Sequence, residues 1–345
     1  MKRLLLMFTA LAIVGLFVPG CAPKSANCRE ARVFCVGLVT QVGRLEDNSY
    51  NQAAWDGVRQ ASSAGTTDWI AFIETVDIRD YTENIRVFAE AGYDVIVTVG
   101  PDMAEATLTQ ANAYPQAYFI GVDQDQSANQ EFTPNLVGLI FREDQIGYLA
   151  GALAASLTKS GKIAAVLGSD ASPAMQKYGQ GFTNGASSID PAITPTVVYH
   201  NDVSLDKSLS DPEWGAKQAN SLVDTEVDII FGAGGTTGSN ALVAAVMRGA
   251  YGIGADTDEY YSLSVAAPHL YTSVLKMIAP GVAELIDAAK KAQAQTSGFP
   301  SGNYTGLVGL APYHDLESSV PNELKVRMTD LVNNLRSGDV QTGVP

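Results

Sequence analysis

The chain predicts a doubly wound α/β protein of two lobes, on three observations. Apolar, β-branched runs alternate with helical patterns along nearly the whole sequence. Several of these runs, such as Val95-Ile96-Val97-Thr98-Val99, are continuously apolar. That pattern belongs to strands buried on both faces, hence to parallel sheets. The body of about 310 residues exceeds one ordinary hydrophobic core. The segments 94–100 and 227–234 share one plan, an Asp, an apolar strand and then Gly, as expected of two lobes of like topology.

In order, strands are expected at 33–40, 68–73, 94–99, 117–122, 136–141, 162–167, 196–200, 227–232, 251–255 and 270–275. Helices are expected at 51–64, 80–91, 103–113, 143–158, 174–189, 213–225, 238–248 and 277–294. Ser49 and Gln52 have the spacing of a capping box at the first helix. Gly92 suits a helix C-terminus and Pro212 a helix start.

Residues 1–20 read as a targeting segment. Lys2 and Arg3 precede an apolar stretch, Leu4 to Val18, shorter than the ~20 residues of a bilayer span. A small residue then Cys21 reads as a lipoprotein signal, with lipid on Cys21; the alternative is an ordinary secretory signal with a coincidental Cys. More than one acyl chain on Cys21 would anchor the protein stably. Residues 21–31 are the lipidated Cys and a polar tether. The expected place is the cell membrane, facing the periplasm or exterior. Cys28 and Cys35 remain, and in an exported protein two such thiols often pair.

The full chain carries -15; Lys2 and Arg3 are the only charges in 1–20, so the body carries -15 - 2 = -17. Such a charge argues against nucleic acid or an anionic lipid surface as partner. It mildly favours a neutral ligand.

The richest local pattern is Val36 to Gly57, a strand, a polar loop and a helix start, the crevice position of doubly wound domains. There Tyr50 sits among Asp47, Asn48, Ser49 and Asn51. A ring beside amide donors can stack on a flat heterocycle, though a cap with a packed aromatic has the same pattern. Asp123 and Asp256 end strands, where a carboxylate accepts from ligand N–H or O–H groups. Lys276 ends another. Gly232 to Gly238 is Gly-rich but matches neither phosphate-loop spacing, and Phe231 before it offers a second ring. For each strand-end charge alone, a solvated surface role fits equally well. The run Asp123 to Asn129 lacks the Gly and Glu of a calcium loop. His200, His269 and His314 have no metal-ligand spacing, and there is no G-x-S-x-G elbow. No metal, no cofactor and no catalytic residue is expected.

Together these residues resemble the basic membrane protein family of bacterial lipoproteins, purine-nucleoside-binding receptors of ABC transporters. The resemblance rests on 38–57, 91–100, 119–124, 227–238, 251–260 and 272–276. It implies a type I periplasmic-binding-protein fold, two Rossmann-like lobes joined by a three-strand hinge. The lobes are expected at 32–139 plus 258–306 and at 140–257 plus 307–345. It further implies a base held between Tyr50 and Phe231, with Asp123 on the base and Asp256 and Lys276 on the ribose. Asn48, Ser49, Asn51, Gly234 and Gly235 would add contacts. Gln41 stands where the family usually has Asp, which leaves the particular nucleoside open. The implied partners are an ABC permease with its ATPase, and the implied state is a monomer. A receptor for a sugar or signal molecule, an exported nucleoside hydrolase and a sensor lobe are the rival readings.

Overall fold

A computed structural model of the chain describes residues 27–129 and 133–345. Cys21 and the signal segment lie outside the described residues. In chain order the elements are β1 (Cys35–Val42), α1 (Tyr50–Ser63), β2 (Trp69–Thr75), α2 (Tyr81–Ala91), β3 (Val95–Val99), α3 (Ala104–Ala113), β4 (Tyr118–Val122) and β5 (Leu136–Ile140). Then come α4 (Glu143–Leu157), β6 (Ile163–Leu167), α5 (Pro173–Ile189), β7 (Thr196–Tyr199), α6 (Leu205–Leu209), α7 (Pro212–Asp224), β8 (Ile229–Gly232) and α8 (Gly235–Met247). The chain ends with β9 (Tyr251–Asp256), α9 (Glu259–Ser262), β10 (Leu270–Lys276), α10 (Ile278–Gln293), β11 (Gly302–Thr305), β12 (Val308–Leu310) and α11 (Asn322–Ser337).

Two six-stranded sheets result, in the orders β11-β5-β4-β3-β1-β2 and β12-β10-β9-β8-β6-β7. Every pairing is parallel except that of β12 with β10. The continuous apolar runs β3 and β6 are buried throughout, as strands covered on both faces must be. One face of the first sheet packs on α1 and α10, the other on α2 and α3. The second sheet packs on α4, α5 and α11 on one side and on α7 and α8 on the other.

The chain passes between sheets three times, after β5, after β10 and between β11 and β12. All three passages lie at one edge of each sheet, so the opposite edges, β2 and β7, are farthest from the hinge. The return to the first lobe was expected at 258. Pairing of β10 with β9 keeps residues 270–276 in the second sheet, so the return falls at Met277. β11 and β12 were not expected, because strands of four and three residues, each with a Gly, are too short to carry a periodic signal. The short helices α6 and α9 were also missed. So was α11, although Leu324, Met328, Val332 and Leu335 form an apolar stripe at helical spacing.

Gly92 ends α2 in the left-handed conformation, and Pro212 opens α7, both as expected. Cys28 and Cys35 form a disulfide that ties the segment before β1 to that strand. Among the described residues no helix is long and apolar enough to cross a membrane.

Helices α4 and α5 pack backbone against backbone. Each presents a Gly pair one turn apart, Gly147 and Gly151 facing Gly181 and Gly185. A Cβ on Gly147 would lie 2.1 Å from the Tyr178 carbonyl oxygen, and one on Gly151 would lie 2.0 Å from that of Phe182. Backbone cannot yield as a side-chain tip can. Gly147→Ala is therefore expected to destabilise by about 1–3 kcal/mol. An exposed helical Gly→Ala would instead gain ~0.5–1 kcal/mol. Equilibrium denaturant unfolding distinguishes the two signs.

Candidate functional site

The site begins at the turn from β1 to α1. Asp47 accepts from the backbone N–H groups of Ser49 at 2.7 Å and of Asn51 and Gln52 at 3.1 Å each. It therefore satisfies the free donors that open a helix. The expected capping box does not form: the Ser49 hydroxyl makes no cap bond, and Gln52 accepts instead from the Asn48 N–H at 3.1 Å. A carboxylate two residues upstream outcompetes a hydroxyl, being the stronger acceptor. This frees Ser49, whose hydroxyl lies 3.5 Å from that of Thr257 on the other lobe.

Asn51, expected to touch ligand, is only 1% exposed and spends its amide on its own loop. Its Oδ1 accepts from the Gln41 N–H at 3.0 Å and its Nδ2 donates to the Arg44 carbonyl at 3.1 Å. Asn51 thus holds the turn that presents Tyr50. Gln41 packs its side chain on Gly100 at the end of β3.

At the centre, strand ends of both sheets bring their charges together. Asp123 follows β4 and Asp256 ends β9, and both adopt positive φ, 61° and 69°. That conformation costs a non-Gly residue free energy and marks a constrained site. Lys276, ending β10, donates to both oxygens of Asp123 across the cleft, at 2.8 and 3.0 Å. Its ammonium also lies 3.6 Å from Glu143 and 3.9 Å from Asp256. One buried cation therefore faces three carboxylates. Burial pulls the Lys276 pKa down, but Asp123 and then Asp256 outweigh it, and the net shift is well upward. Burial raises Glu143, against the opposing pull of Lys276.

Two tyrosines flank this cluster, one from each lobe. The Tyr50 hydroxyl donates to Asp123 at a long 3.3 Å, and Lys276 stands 5.8 Å from the centre of its ring. The Tyr178 hydroxyl, from α5, donates to Asp256 Oδ1. Burial pushes both phenols well above their ordinary pKa, reinforced by Asp123 and Asp256 for Tyr50 and by Asp256 for Tyr178.

Phe231 does not face this cluster. Its side chain is 0% exposed, stacked on Phe182 at 5.6 Å within the core of the second lobe. In a strand, alternate residues point to opposite faces, and Phe231 takes the α4–α5 face of β8. Gly234 and Gly235, expected to add ligand contacts, approach the backbone of their own lobe closely. Gly234 approaches Gly168 and Gly235 approaches the Leu209 carbonyl, so their Cβ atoms would lie 2.7 and 2.5 Å from backbone.

Toward solvent a cleft of about 310 Å³ opens between the lobes, lined by Asn48, Ser49 and Gln52 on one side and by Asp256, Thr257 and Tyr261 on the other. Among the described residues no group of three His, Cys, Asp or Glu is arranged to hold a metal. Sequence reasoning missed Glu143 and Tyr178. Glu143 reads as an ordinary first-turn acid of α4 and Tyr178 as a core aromatic of α5, and only their neighbours distinguish them.

Two mostly parallel α/β lobes joined by three crossings, with polar side chains converging between them, form a type I periplasmic-binding-protein fold. Residues 34–327 match the family described as "Bmp: ABC transporter substrate-binding protein PnrA-like", and the chain belongs to that family. It is a binding protein of an ABC transporter, not an enzyme, and its role implies a small-molecule ligand and a permease partner.

Among its relatives is a CD4+ T-cell-stimulating antigen of Listeria innocua, 26% identical over 92% of this chain and 90% of that protein. The ABC transporter nucleoside-binding protein BmpA of Lactococcus lactis is 25% identical over 71% of this chain and 69% of that protein. Basic membrane protein A of Borreliella burgdorferi is 27% identical over 80% and 76% of the two. In fold, the chain is similar to an ABC transporter solute-binding protein of Conexibacter woesei, with a TM-score of 0.72 and 21% identity over 90% of this chain and 98% of that one.

Removing the one cation from its carboxylates leaves buried charge uncompensated. Lys276→Met is expected to cost about 3–5 kcal/mol at neutral pH. The loss is expected to shrink as the pH falls and Glu143, whose pKa burial raises, takes up its proton, which urea unfolding at several pH values measures. Behind Asp256, burial raises buried Glu259 to about 7, against the donors Ser239 and the Ala255 N–H. A raised carboxyl pKa means that the folded protein holds a proton the unfolded chain has lost. Stability is therefore expected to fall as pH rises from about 4.5 to about 7. Glu259→Gln is expected to flatten that slope in the same unfolding series.

Proposed function

We propose that this chain captures a nucleoside, of the purine class, between its two lobes and delivers it to the permease. The observation that carries the reading is the convergence of Asp123 and Asp256, one from each lobe, beside the ring of Tyr50. Asp123 would take the N–H donors of the base and Asp256 the hydroxyls of the ribose. Tyr50 would stack on the base and Lys276 donate to its acceptors or to a hydroxyl. The name of the Lactococcus relative, a nucleoside-binding protein, supports the same class.

Three carboxylates against one ammonium leave the site negative, which disfavours a phosphate and selects nucleosides over nucleotides. With Phe231 in the core, Tyr50 is the ring this reading assigns to the base. Contacts to both lobes would stabilise the closed form, a hinge motion at the three crossing strands. Lipid on Cys21 would hold a monomeric receptor at the outer side of the membrane. The lobes would be 34–140 with 278–306 and 141–277 with 307–345, as sheet membership divides them.

Thermal unfolding with added inosine, guanosine, adenosine, their 5′-monophosphates, free bases and ribose tests the proposal. A ligand of the folded state stabilises by about 2.7 kcal/mol at a hundred times its Kd. Purine nucleosides are expected to raise the melting temperature, and ribose and the monophosphates to leave it unchanged. Tyr50→Ala is expected to weaken nucleoside affinity by ~1–3 kcal/mol, and Asp123→Ala to weaken it as well, in calorimetric titration. No shift with any nucleoside, after ligand carried over from expression is removed by unfolding and refolding, sinks the reading and turns attention to sugars.

A further inference from the structure

Asp256 keeps one oxygen for its protein and one for the cleft. Oδ1 accepts from the Tyr178 hydroxyl and lies 3.9 Å from the Lys276 ammonium. Among the described residues Oδ2 has no protein donor, and Asp256 lines the open cleft. A free carboxylate rotates about its last bond and offers either oxygen. Here the Tyr178 hydroxyl removes that freedom, so a single oxygen is presented.

Tyr178 is itself enclosed by core. It is 1% exposed, and its ring rests 6.1 Å from that of Phe231, which stacks in turn on Phe182. Its backbone carbonyl meets Gly147 in the glycine-lined contact of α4 with α5. Rigid core therefore reaches through one hydroxyl to the edge of the cleft. The matching pair in the first lobe is looser, since Tyr50 meets Asp123 at 3.3 Å from the first residue of α1.

We propose that Tyr178 is a positioning residue that makes the second lobe selective for a ligand bearing a hydroxylated ring, by fixing Asp256 with one oxygen aimed into the cleft. This rests on the nucleoside reading and deepens it. Selectivity for the sugar hydroxyls is then a property of the second lobe. Burial keeps the Tyr178 phenol protonated well beyond neutral pH, as a donor to Asp256 must be.

The test is Tyr178→Phe, which removes one oxygen and keeps the ring. Affinities of inosine and 2′,3′-dideoxyinosine are measured by calorimetry on wild type and variant. The wild type is expected to prefer inosine, and the variant to lose that preference by about tenfold or more, the size of one hydrogen bond to a charged group. Affinity for the dideoxy compound is expected to stay within about twofold. Equal losses for both ligands, or an unchanged ratio, overturn the positioning role and leave nucleoside binding standing. A wild type that binds both compounds alike overturns the assignment of Asp256 to the sugar. A wild type that binds neither compound, nor any other purine nucleoside, overturns the nucleoside reading itself, and this proposal with it. Phe231→Leu keeps the proposal open to test if Tyr178→Phe fails to fold. It loosens the ring behind Tyr178 without touching Asp256 and is expected to lower the same ratio. A lower melting temperature with an intact ratio overturns the role.

Discussion

A single buried ammonium holds the centre of this molecule. Lys276 is 6% exposed, and an unpaired charge so placed is intolerable in a protein interior. Asp123 compensates it most directly, yet that carboxylate belongs to the other lobe. The pair therefore constrains how the two sheets face each other. Once it is set, Glu143 and Asp256 fall within 4 Å and the site acquires its negative character.

The topology makes the pair possible. In both sheets the parallel strands point their carboxyl ends at the cleft, and three crossings at one edge keep those ends opposed. Asp123, Asp256 and Lys276 are all strand-end residues, so the backbone delivers each to within reach of the others. The two aspartates accept left-handed backbone conformations to do so.

The two lobes contribute different mechanical qualities to the site. The first presents Tyr50 on a loop held by Asp47 and Asn51, a polar network at the edge of solvent. The second presents Asp256 braced by Tyr178 from a dry aromatic core.

Much of this was legible in the sequence. All ten expected strands formed as β1 to β10, because short apolar, β-branched runs between turn residues mark strands, but the runs did not say which strands lie at the half-exposed edges, as β2 and β7 do. The strand-end charges Asp123, Asp256 and Lys276 were readable for the same reason: a strand's carboxyl end is a position in the fold as well as in the sequence. Asp47 displaced Ser49 as the cap because spacing alone does not rank competing acceptors. Phe231 turned into the core and Asn51 into its own loop, because a residue's identity does not say which way its side chain points. The return at Met277 in place of 258 depended on which strand paired with β9, a long-range choice. Tyr178 and Glu143 became site residues only through neighbours more than 70 residues away in the chain. Local patterning thus determined the strands and the strand-end charges, since these follow from the order of residues along the chain. Tertiary packing alone decided which charges meet and which ring faces the cleft, since those depend on contacts between segments that no local pattern encodes.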